Sequence, residues 1–486
     1  MLPIFISLLA GIVTPAAASA GSSACSNITS QLGSAKVSTN QLSIQYINST
    51  EYYNTLLDDY KPSCVVYPKS AHDVSLALQA IRAADSRFAV KAGGHNPNTF
   101  FSSVDKGVLL DLNSMTAKSY DPKTTLATYQ PGGVFGDLYE YYAKYNRTVV
   151  GARLAGVGTG LALGGGMSYL SPQYGLACDS FRELEIVLPD GRIVTASNET
   201  NPDLFFASRG GGGNAYGVVT KYTVQSRPAG QFRAGNIIYA FTQKEAVIEA
   251  IGNFIKYNTD PKAAIIGTYE KLPTPDLNLN LDEAIIMFLV YDGPDSGNAF
   301  SNFTSIPHVL DTTSIKSYPE VVNMPIPYST ELSRGNNIFR VGVHRPENGS
   351  YENALNKWRD WAESNKGKYT LLSLDFQPVP KSLTDASNAQ GGNAMKMPDG
   401  PWFWLNYLIT TPAGMSEADY KAVQTSYRDL VASTTNAEDL PLFINDANAD
   451  QKPLHTFSTF SKLQEIKKKY DPDNFFADRT GGWSFE

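Results

Sequence analysis

The chain has 486 residues, of which 42% are hydrophobic and 18% are charged, and its formal net charge is −7. This length exceeds what one simple core holds, so two domains or one interrupted domain are expected. The composition excludes a disordered chain, and the lack of a basic excess argues against a nucleic-acid partner.

The N-terminus predicts secretion. Residues 2–13 are apolar, and Ala18-Ser19-Ala20 has the pattern of a signal-peptidase site, so we predict a signal peptide at 1–20 and a mature start near Gly21. A membrane anchor is disfavoured because the apolar run is too short to span a bilayer. Glycosylation sequons, which suit a secreted chain, occur at Asn27, Asn48, Asn146, Asn198, Asn302 and Asn348.

The chain has three cysteines, at Cys25, Cys64 and Cys178. In an oxidising compartment we predict that Cys25 and Cys64 form a disulfide, which would tie the mature N-terminus to the first compact region. Cys178 would then be a buried free thiol, and a nucleophilic role for it is the alternative.

From residue 63 onward, short hydrophobic runs and helical patterns alternate. Strands are predicted at 64–67, 88–91, 108–112, 126–129, 184–188, 192–195 and 218–224. Helices are predicted from Ser70, which is a good N-cap residue, and around 135–145. Further strands at 285–290 and 402–408 indicate a second domain of sheet and helices, and the tail from 440 is predicted to hold a strand and a helix through 462–470.

Three glycine clusters in the first half indicate backbone packed against a large ligand, at 93–94, 151–166 and 210–213. Backbone N–H groups in such loops can bind a pyrophosphate without a charged side chain. The Rossmann fingerprint fails because Leu163 stands where its third glycine belongs. Neither a nucleophile elbow nor a metal-spaced His/Cys cluster occurs, so no metal is predicted. A bulky nucleotide cofactor of non-Rossmann type remains.

Four blocks stand in order at residues 88–98, 151–168, 202–220 and 470–476. Together they resemble the FAD-linked oxidases of the vanillyl-alcohol oxidase superfamily, specifically the fungal berberine-bridge-enzyme-like branch. The resemblance covers nearly the whole mature chain and implies an α+β fold. In that fold a PCMH-type FAD-binding domain of two subdomains (60–230) follows an N-terminal extension (21–59). A C-terminal segment (436–486) completes it, and an antiparallel-sheet substrate domain (231–435) is inserted between them.

The resemblance implies that His95 bonds covalently to the 8α-methyl carbon of the flavin, since a neutral imidazole nitrogen is a competent nucleophile. Relatives with a second covalent link carry Cys where this chain has Arg153, so a single link is expected. Arg153 would instead hold the pyrophosphate or a neighbouring carboxylate. The other FAD-binding residues implied are Lys91, Ala92, Gly93, Gly94, Asn96, Val157, Gly158, Thr159, Gly160, Gly164, Gly165, Gly166, Val218, Val219, Asn445 and Asn474.

One departure concerns the catalytic base. Relatives often carry Tyr-x-Asn on the strand facing the flavin, whereas this chain has Phe443 before Asn445. Phe has no ionisable proton, so the base lies elsewhere or is unnecessary. Tyr407 and Asp375 are the candidates, with structural roles as the alternative, and Phe443 and Gln377 are predicted to line the substrate pocket.

The function implied is an FAD-dependent oxidase. It would take a hydride from a C–OH or C–N carbon of a small organic substrate, with a specialised metabolite favoured, and reduce O₂ to H₂O₂. The alternatives are an oligosaccharide oxidase of the same family, a flavin dehydrogenase that does not react with O₂, and a flavin-containing cyclase-like protein. We expect a secreted monomer with no nucleic-acid or membrane partner.

Overall fold

The N-terminal region forms a small sheet. The computed structural model describes residues 19–271, 282–324, 335–347 and 349–486, so most of the predicted signal peptide and the Asn348 sequon lie outside the described residues. The strands are β1 (Val37–Ser38), β2 (Cys64–Val66), β3 (Phe88–Lys91) and β4 (Val108–Asp111), in the order β1-β2-β4-β3. The helices are α1 (Ala20–Leu32), α2 (Ile44–Ser49) and α3 (Ala71–Ala83).

Local sequence signals fix this region. The Ser70 hydroxyl accepts a hydrogen bond from the Asp73 amide, which is the predicted N-cap of α3. The apolar face of α3 covers the sheet. The predicted disulfide between Cys25 and Cys64 is present and joins α1 to β2. Cys178 is a buried free thiol, as expected.

The next region forms an antiparallel sheet in the order β5-β6-β10-β8-β9, with a separate pair β7-β11. Its strands are β5 (Lys118–Asp121), β6 (Leu126–Tyr129), β7 (Arg147–Thr148), β8 (Phe181–Val187), β9 (Ile193–Ser197), β10 (Val218–Gln225) and β11 (Arg227–Pro228). Its helices are α4 (Phe135–Ala143), α5 (Ser171–Tyr174) and α6 (Pro202–Ser208). The glycine-rich loops connect these elements.

Residues 232–411 build a third sheet, antiparallel in the order β15-β12-β14-β13-β18-β19-β17, with β16 paired to β12. Its strands are β12 (Phe232–Ala240), β13 (Ala263–Lys271), β14 (Glu283–Tyr291), β15 (Leu310–Asp311), β16 (Ser314–Lys316), β17 (Asn336–His344), β18 (Leu371–Val379) and β19 (Trp402–Thr411). The helices here are α7 (Lys244–Tyr257), α8 (Ser301–Thr304), α9 (Tyr318–Val322), α10 (Ser350–Ser364), α11 (Lys381–Ala389) and α12 (Glu417–Thr434).

Both faces of this third sheet are covered. On the outer face, side chains such as Leu374, Phe403 and Tyr407 form one core with α7, α10 and α12. On the inner face, side chains such as Phe288 and Trp404 pack with the second sheet and its loops. Successive residues of a strand point to alternate faces of the sheet. Every second side chain of each strand therefore faces the second sheet and its loops, and the others face the helices.

The C-terminal segment returns to the first two sheets. α13 (Phe460–Tyr470) packs beside α6, and α14 (Phe475–Arg479) places Phe475 5.2 Å from the ring of Phe88. The strand predicted in the tail was wrong, since residues 440–452 form turns and irregular structure. Pro441 has no amide to donate to a sheet, and the Asn445 side chain bonds the Leu161 carbonyl instead.

His344 gives stability a pH dependence. The ring is fully buried, neither nitrogen has a hydrogen-bond partner, and burial lowers its pKa from 6.5 to about 4. Between these two pKa values the unfolded chain binds a proton at this residue and the folded chain does not. The folded state therefore loses stability as pH falls from about 6.5 towards 4. We expect this residue to account for about 3 kcal/mol of that loss.

The measurement is urea unfolding of wild type and His344→Leu at about pH 7 and about pH 4. The wild type should lose more stability between the two pH values than the variant does. Equal losses in the two proteins would contradict the assignment to His344.

Candidate functional site

A cavity of about 1010 Å³ lies between the glycine-rich loops and the inner face of the third sheet. Its volume is at the upper end of the ~300–1,000 Å³ typical of small-molecule and cofactor sites. It is lined by both the N-terminal and the C-terminal parts of the chain, from Asn48 to Trp483. The cavity is therefore large enough for an extended ligand and a second, smaller molecule.

Most of the predicted cofactor-binding residues line this cavity. They are Lys91, Ala92, Gly93, Gly94, His95, Asn96, Arg153, Val157, Gly158, Thr159, Gly160, Gly164, Val218, Val219 and Asn445. The fold thus brings four segments that are far apart in the sequence to the wall of one cavity. Phe443 and Asp375 line it as well.

Two of the glycines are needed because other parts of the chain approach their backbone closely. A Cβ on Gly158 would lie 2.3 Å from the Gly93 nitrogen, and one on Gly164 would lie 1.9 Å from the Asn445 Oδ1. A Cβ on Gly160 would meet no protein atom within 4 Å, although Gly160 lines the cavity. The loops therefore pack closely on one another, while open space remains beside the Gly160 backbone for a ligand.

Three predicted cofactor residues do not line the cavity. Gly165 and Gly166 lie behind it, where their carbonyls accept the Cys178 and Ala177 amides. Asn474 begins α14, and its side chain accepts a hydrogen bond from Lys467. Asn474 does not line the cavity, so the structure gives no support to its predicted role near the flavin.

Lys91 lines the cavity, but its charge is used elsewhere. Nζ donates to the carbonyls of Ser49 at 2.6 Å and Glu51 at 3.1 Å, and lies over the Tyr52 ring. Burial lowers the pKa of Lys91. This side chain holds residues 49–51 against the cavity wall.

His95 stands at the cavity wall between the glycine loops and the segment of Tyr53. The two rings stack with centroids 4.0 Å apart and planes 13° from parallel. Burial lowers the pKa of His95 from 6.5 to about 4, so the imidazole is neutral near pH 7. A neutral, oriented ring with one face held by an aromatic partner is suited to act as a nucleophile.

Strand register brings polar side chains together on the cavity side of the third sheet. Asp375 on β18 is directly opposite Thr268 on β13 and Asn406 on β19, and all three line the cavity. The Asp375 carboxylate accepts from Ser373 Oγ at 2.5 Å and Asn406 Nδ2 at 3.1 Å. Burial raises its pKa, while the Ser373 and Thr268 hydrogen bonds and the Arg153 charge oppose that rise.

A second carboxyl, Asp446, follows Asn445 directly and lines the cavity. It accepts a hydrogen bond of 2.7 Å from Gln377 Nε2. Burial raises the pKa of Asp446, and the Arg153 charge lowers it. Gln377 does not line the cavity, so its predicted pocket role is indirect, through Asp446.

Tyr407 is not at the site. It follows Asn406 on β19 and so points to the opposite face, where its hydroxyl lies 2.6 Å from Thr434 Oγ1 among the packed helices. The proposal of Tyr407 as the base was wrong for this geometric reason. Apart from Asn406 and the two terminal threonines, the side chains on both faces of β19 are apolar or aromatic, so the sequence does not show which face meets the cavity.

Apolar side chains form the remaining wall around the carboxyls. Phe443 stacks on Trp404 with centroids 4.4 Å apart and faces the cavity. The other apolar wall residues on the third sheet are Ile266, Phe288, Phe339 and Leu408. Sequence reasoning missed several lining residues, namely Tyr53, Thr268, Glu270, Ser373, Asn406, Asp446 and Trp483.

Comparison with known proteins identifies the class. A family model described as FAD binding domain matches residues 62–197, and one described as berberine and berberine like matches 443–481. An uncharacterized FAD-linked oxidoreductase of Arthroderma benhamiae is 33% identical over 89% of this chain and 89% of its own length. An FAD-dependent monooxygenase of Arthrobotrys oligospora is 30% identical, over 86% of this chain and 81% of its own.

Solved structures agree on the fold. A carbohydrate oxidase from Microdochium nivale superposes with a TM-score of 0.75 at 20% identity, covering 93% of this chain and 98% of its own. This chain belongs to the berberine-bridge-enzyme-like family of FAD-linked oxidoreductases. The predicted fold class, with a PCMH-type FAD-binding domain and antiparallel sheet, is confirmed, and the predicted domain boundaries stay predictions.

The residues present fit FAD. The glycine loops that line the cavity suit a pyrophosphate, the cavity has dinucleotide size, and His95 presents a neutral ring to it. Among the described residues no cluster of His, Cys, Asp or Glu is arranged to hold a metal ion. In that same part of the chain, every helix is too short or too polar to cross a membrane.

Proposed function

We propose that this oxidoreductase is an oxidase that takes a hydride from a C–OH or C–N carbon of a small organic molecule. The observation that carries the proposal is the buried carboxylate of Asp375, which shares one cavity with His95 and the glycine loops. FAD, when bound, accepts the hydride and passes two electrons to O₂, giving H₂O₂. The reaction balances as R₂CH–OH plus O₂ giving R₂C=O plus H₂O₂.

The protein's part is positioning and proton transfer. Asp375 accepts the O–H or N–H proton of the substrate, because its raised pKa leaves it a stronger base than an exposed carboxylate. Ser373 and Asn406 fix the orientation of that carboxylate through their hydrogen bonds. Arg153 offsets the negative charge of Asp375 and Asp446, which would otherwise hinder ionisation of both.

His95 is proposed to hold FAD covalently, in a single link. Its neutral imidazole at the cavity wall supports this role. Arg153 lies where a second link would need a cysteine thiol, and a guanidinium cannot form that bond.

The substrate is proposed to be a mainly apolar specialised metabolite. The aromatic and aliphatic wall of Phe288, Phe339, Leu408 and Phe443 supports an apolar molecule with few polar groups. The polar side chains Thr268, Asp375 and Asn406 are gathered in one patch of the third sheet, so sugar hydroxyls that lie against the aromatic wall would find no hydrogen-bond partner.

The proposal is tested by anaerobic mixing of the purified protein with a panel of aromatic alcohols, amines and oligosaccharides, followed by O₂. Bleaching of the flavin, fast recovery of its colour in O₂ and one H₂O₂ per product support the oxidase. Slow recovery in O₂ identifies a dehydrogenase. Incorporation of isotopically labelled oxygen from O₂ into the product identifies a monooxygenase, the activity that names the Arthrobotrys oligospora relative.

We also propose that the protein is secreted, N-glycosylated and monomeric. The disulfide and the sequons support secretion, since every sequon Asn that the structure describes is exposed: Asn27, Asn48, Asn146, Asn198 and Asn302. A mobility shift after glycosidase treatment of protein from the culture medium would support this location. Light scattering of the same sample tests the monomer.

A further inference from the structure

Glu270 on β13 is a buried carboxyl that the proposed mechanism does not use. Glu270 is 2% exposed and lines the cavity, and neither of its carboxyl oxygens has a hydrogen-bond partner. Buried carboxyls in folded proteins are nearly always paired, because an unpaired one costs stability. Glu270 therefore needs an explanation beyond packing.

The neighbouring charges do not supply a partner. Lys271, the next residue, points to the opposite face of the sheet, where Nζ lies 2.5 Å from Glu283 and 3.0 Å from Glu363. Directly opposite on β18 is Ser373, whose hydroxyl already donates to Asp375. Within the described chain, the cavity is thus the direction in which Glu270 can find a partner.

We propose that Glu270 is a substrate-recognition residue that hydrogen-bonds a hydroxyl group of the substrate. The inference rests on the proposed function, in which Asp375 serves the reacting carbon. Glu270 is the diagonal neighbour of Asp375 across β13 and β18, a relation that separates backbone positions by about 7–8 Å. The preferred substrate then carries its reacting group and a second hydroxyl at opposite ends of a ring, with apolar surface between.

The chemistry favours a neutral partner. Burial raises the pKa of Glu270 well above its ordinary value, and the Asp375 charge raises it further. This shift favours the protonated carboxyl, which both donates and accepts a hydrogen bond and so matches a hydroxyl. An ammonium group would instead require Glu270 to ionise beside Asp375.

A matched pair of probes tests this: para-hydroxybenzyl alcohol and benzyl alcohol, which differ by the second hydroxyl. Their affinities for the flavin-loaded protein are read from perturbation of the flavin spectrum without O₂. Wild type should prefer the first probe about 10- to 100-fold, as for a buried hydrogen bond. Glu270→Leu should lose this preference, and Glu270→Gln should keep most of it. A preference unchanged in Glu270→Leu, or lost equally in Glu270→Gln, overturns the proposal.

Thermal unfolding of the same holoproteins without probe gives an independent readout. Glu270→Leu should melt higher than wild type because it removes an unpaired buried carboxyl, whereas Tyr269→Phe, on the opposite face, should not. A lower melting temperature for Glu270→Leu would make Glu270 structural and overturn the proposal. If neither probe binds wild type, this comparison decides. Failure of the oxidase itself shows separately, as a flavin that no compound bleaches.

Discussion

Replacing His95 with alanine is expected to move all of the yellow colour from the precipitate to the supernatant when the protein is treated with acid. In wild type the colour should stay with the precipitate, because a bond from the imidazole to the flavin survives denaturation. The reason lies in the neutral ring of His95 at the cavity wall, held against Tyr53. The measurement is the visible spectrum of both fractions.

His455→Ala is the matched control. The His455 ring lies 4.1 Å from the ring of Phe460 at the start of α13 and does not line the cavity, so this variant should keep its colour in the precipitate. Colour in the wild-type supernatant would refute the covalent link while leaving FAD binding intact. Acid-stable colour in His95→Ala would assign the bond to another residue.

Asp375→Asn is expected to slow reduction of the flavin by saturating substrate about 10²- to 10⁴-fold, the usual contribution of a general base. Asparagine keeps the shape of the side chain but cannot take a proton near pH 7. In wild type the reduction rate should fall as pH drops through the raised pKa of Asp375, since only the ionised form accepts a proton. This pH dependence should disappear in the variant. Anaerobic stopped-flow measurement across pH gives both quantities.

Tyr407→Phe is the control for that experiment, since Tyr407 is the other residue that the sequence offered as a base. It should reduce at the wild-type rate and lose about 1 kcal/mol of stability with the hydrogen bond to Thr434. Slow reduction in Tyr407→Phe together with normal reduction in Asp375→Asn would reverse the assignment.

The local elements were predictable because their signals are local. Ser70 capping α3, the hydrophobic run of β3 and the glycine blocks each act within a few residues. In β18 the alternation of Ser373, Asp375 and Gln377 with apolar residues already marks one polar face. Asp375 was thus found from the sequence, and the same alternation could have pointed to Ser373, which was missed.

The rest depended on distant contacts. β19 is buried on both faces, so nothing in its sequence says that Asn406 and not Tyr407 meets the cavity. The sequence did not point to Glu270, because the feature that marks it is the lack of a hydrogen-bond partner. This feature is visible only in the folded sheet. The position of Asn474 outside the cavity likewise depends on where α13 and α14 return.

The cavity takes its walls from both ends of the chain, and this orders events during synthesis. While Phe443 and Asp446 are still inside the ribosome, the glycine loops lack the segment that packs on them. Trp483 emerges later still. A complete cofactor site therefore exists only after the segment through Trp483 has been made and has folded back. Chains truncated before Phe443 would lack this part of the wall, and we expect them to remain colourless.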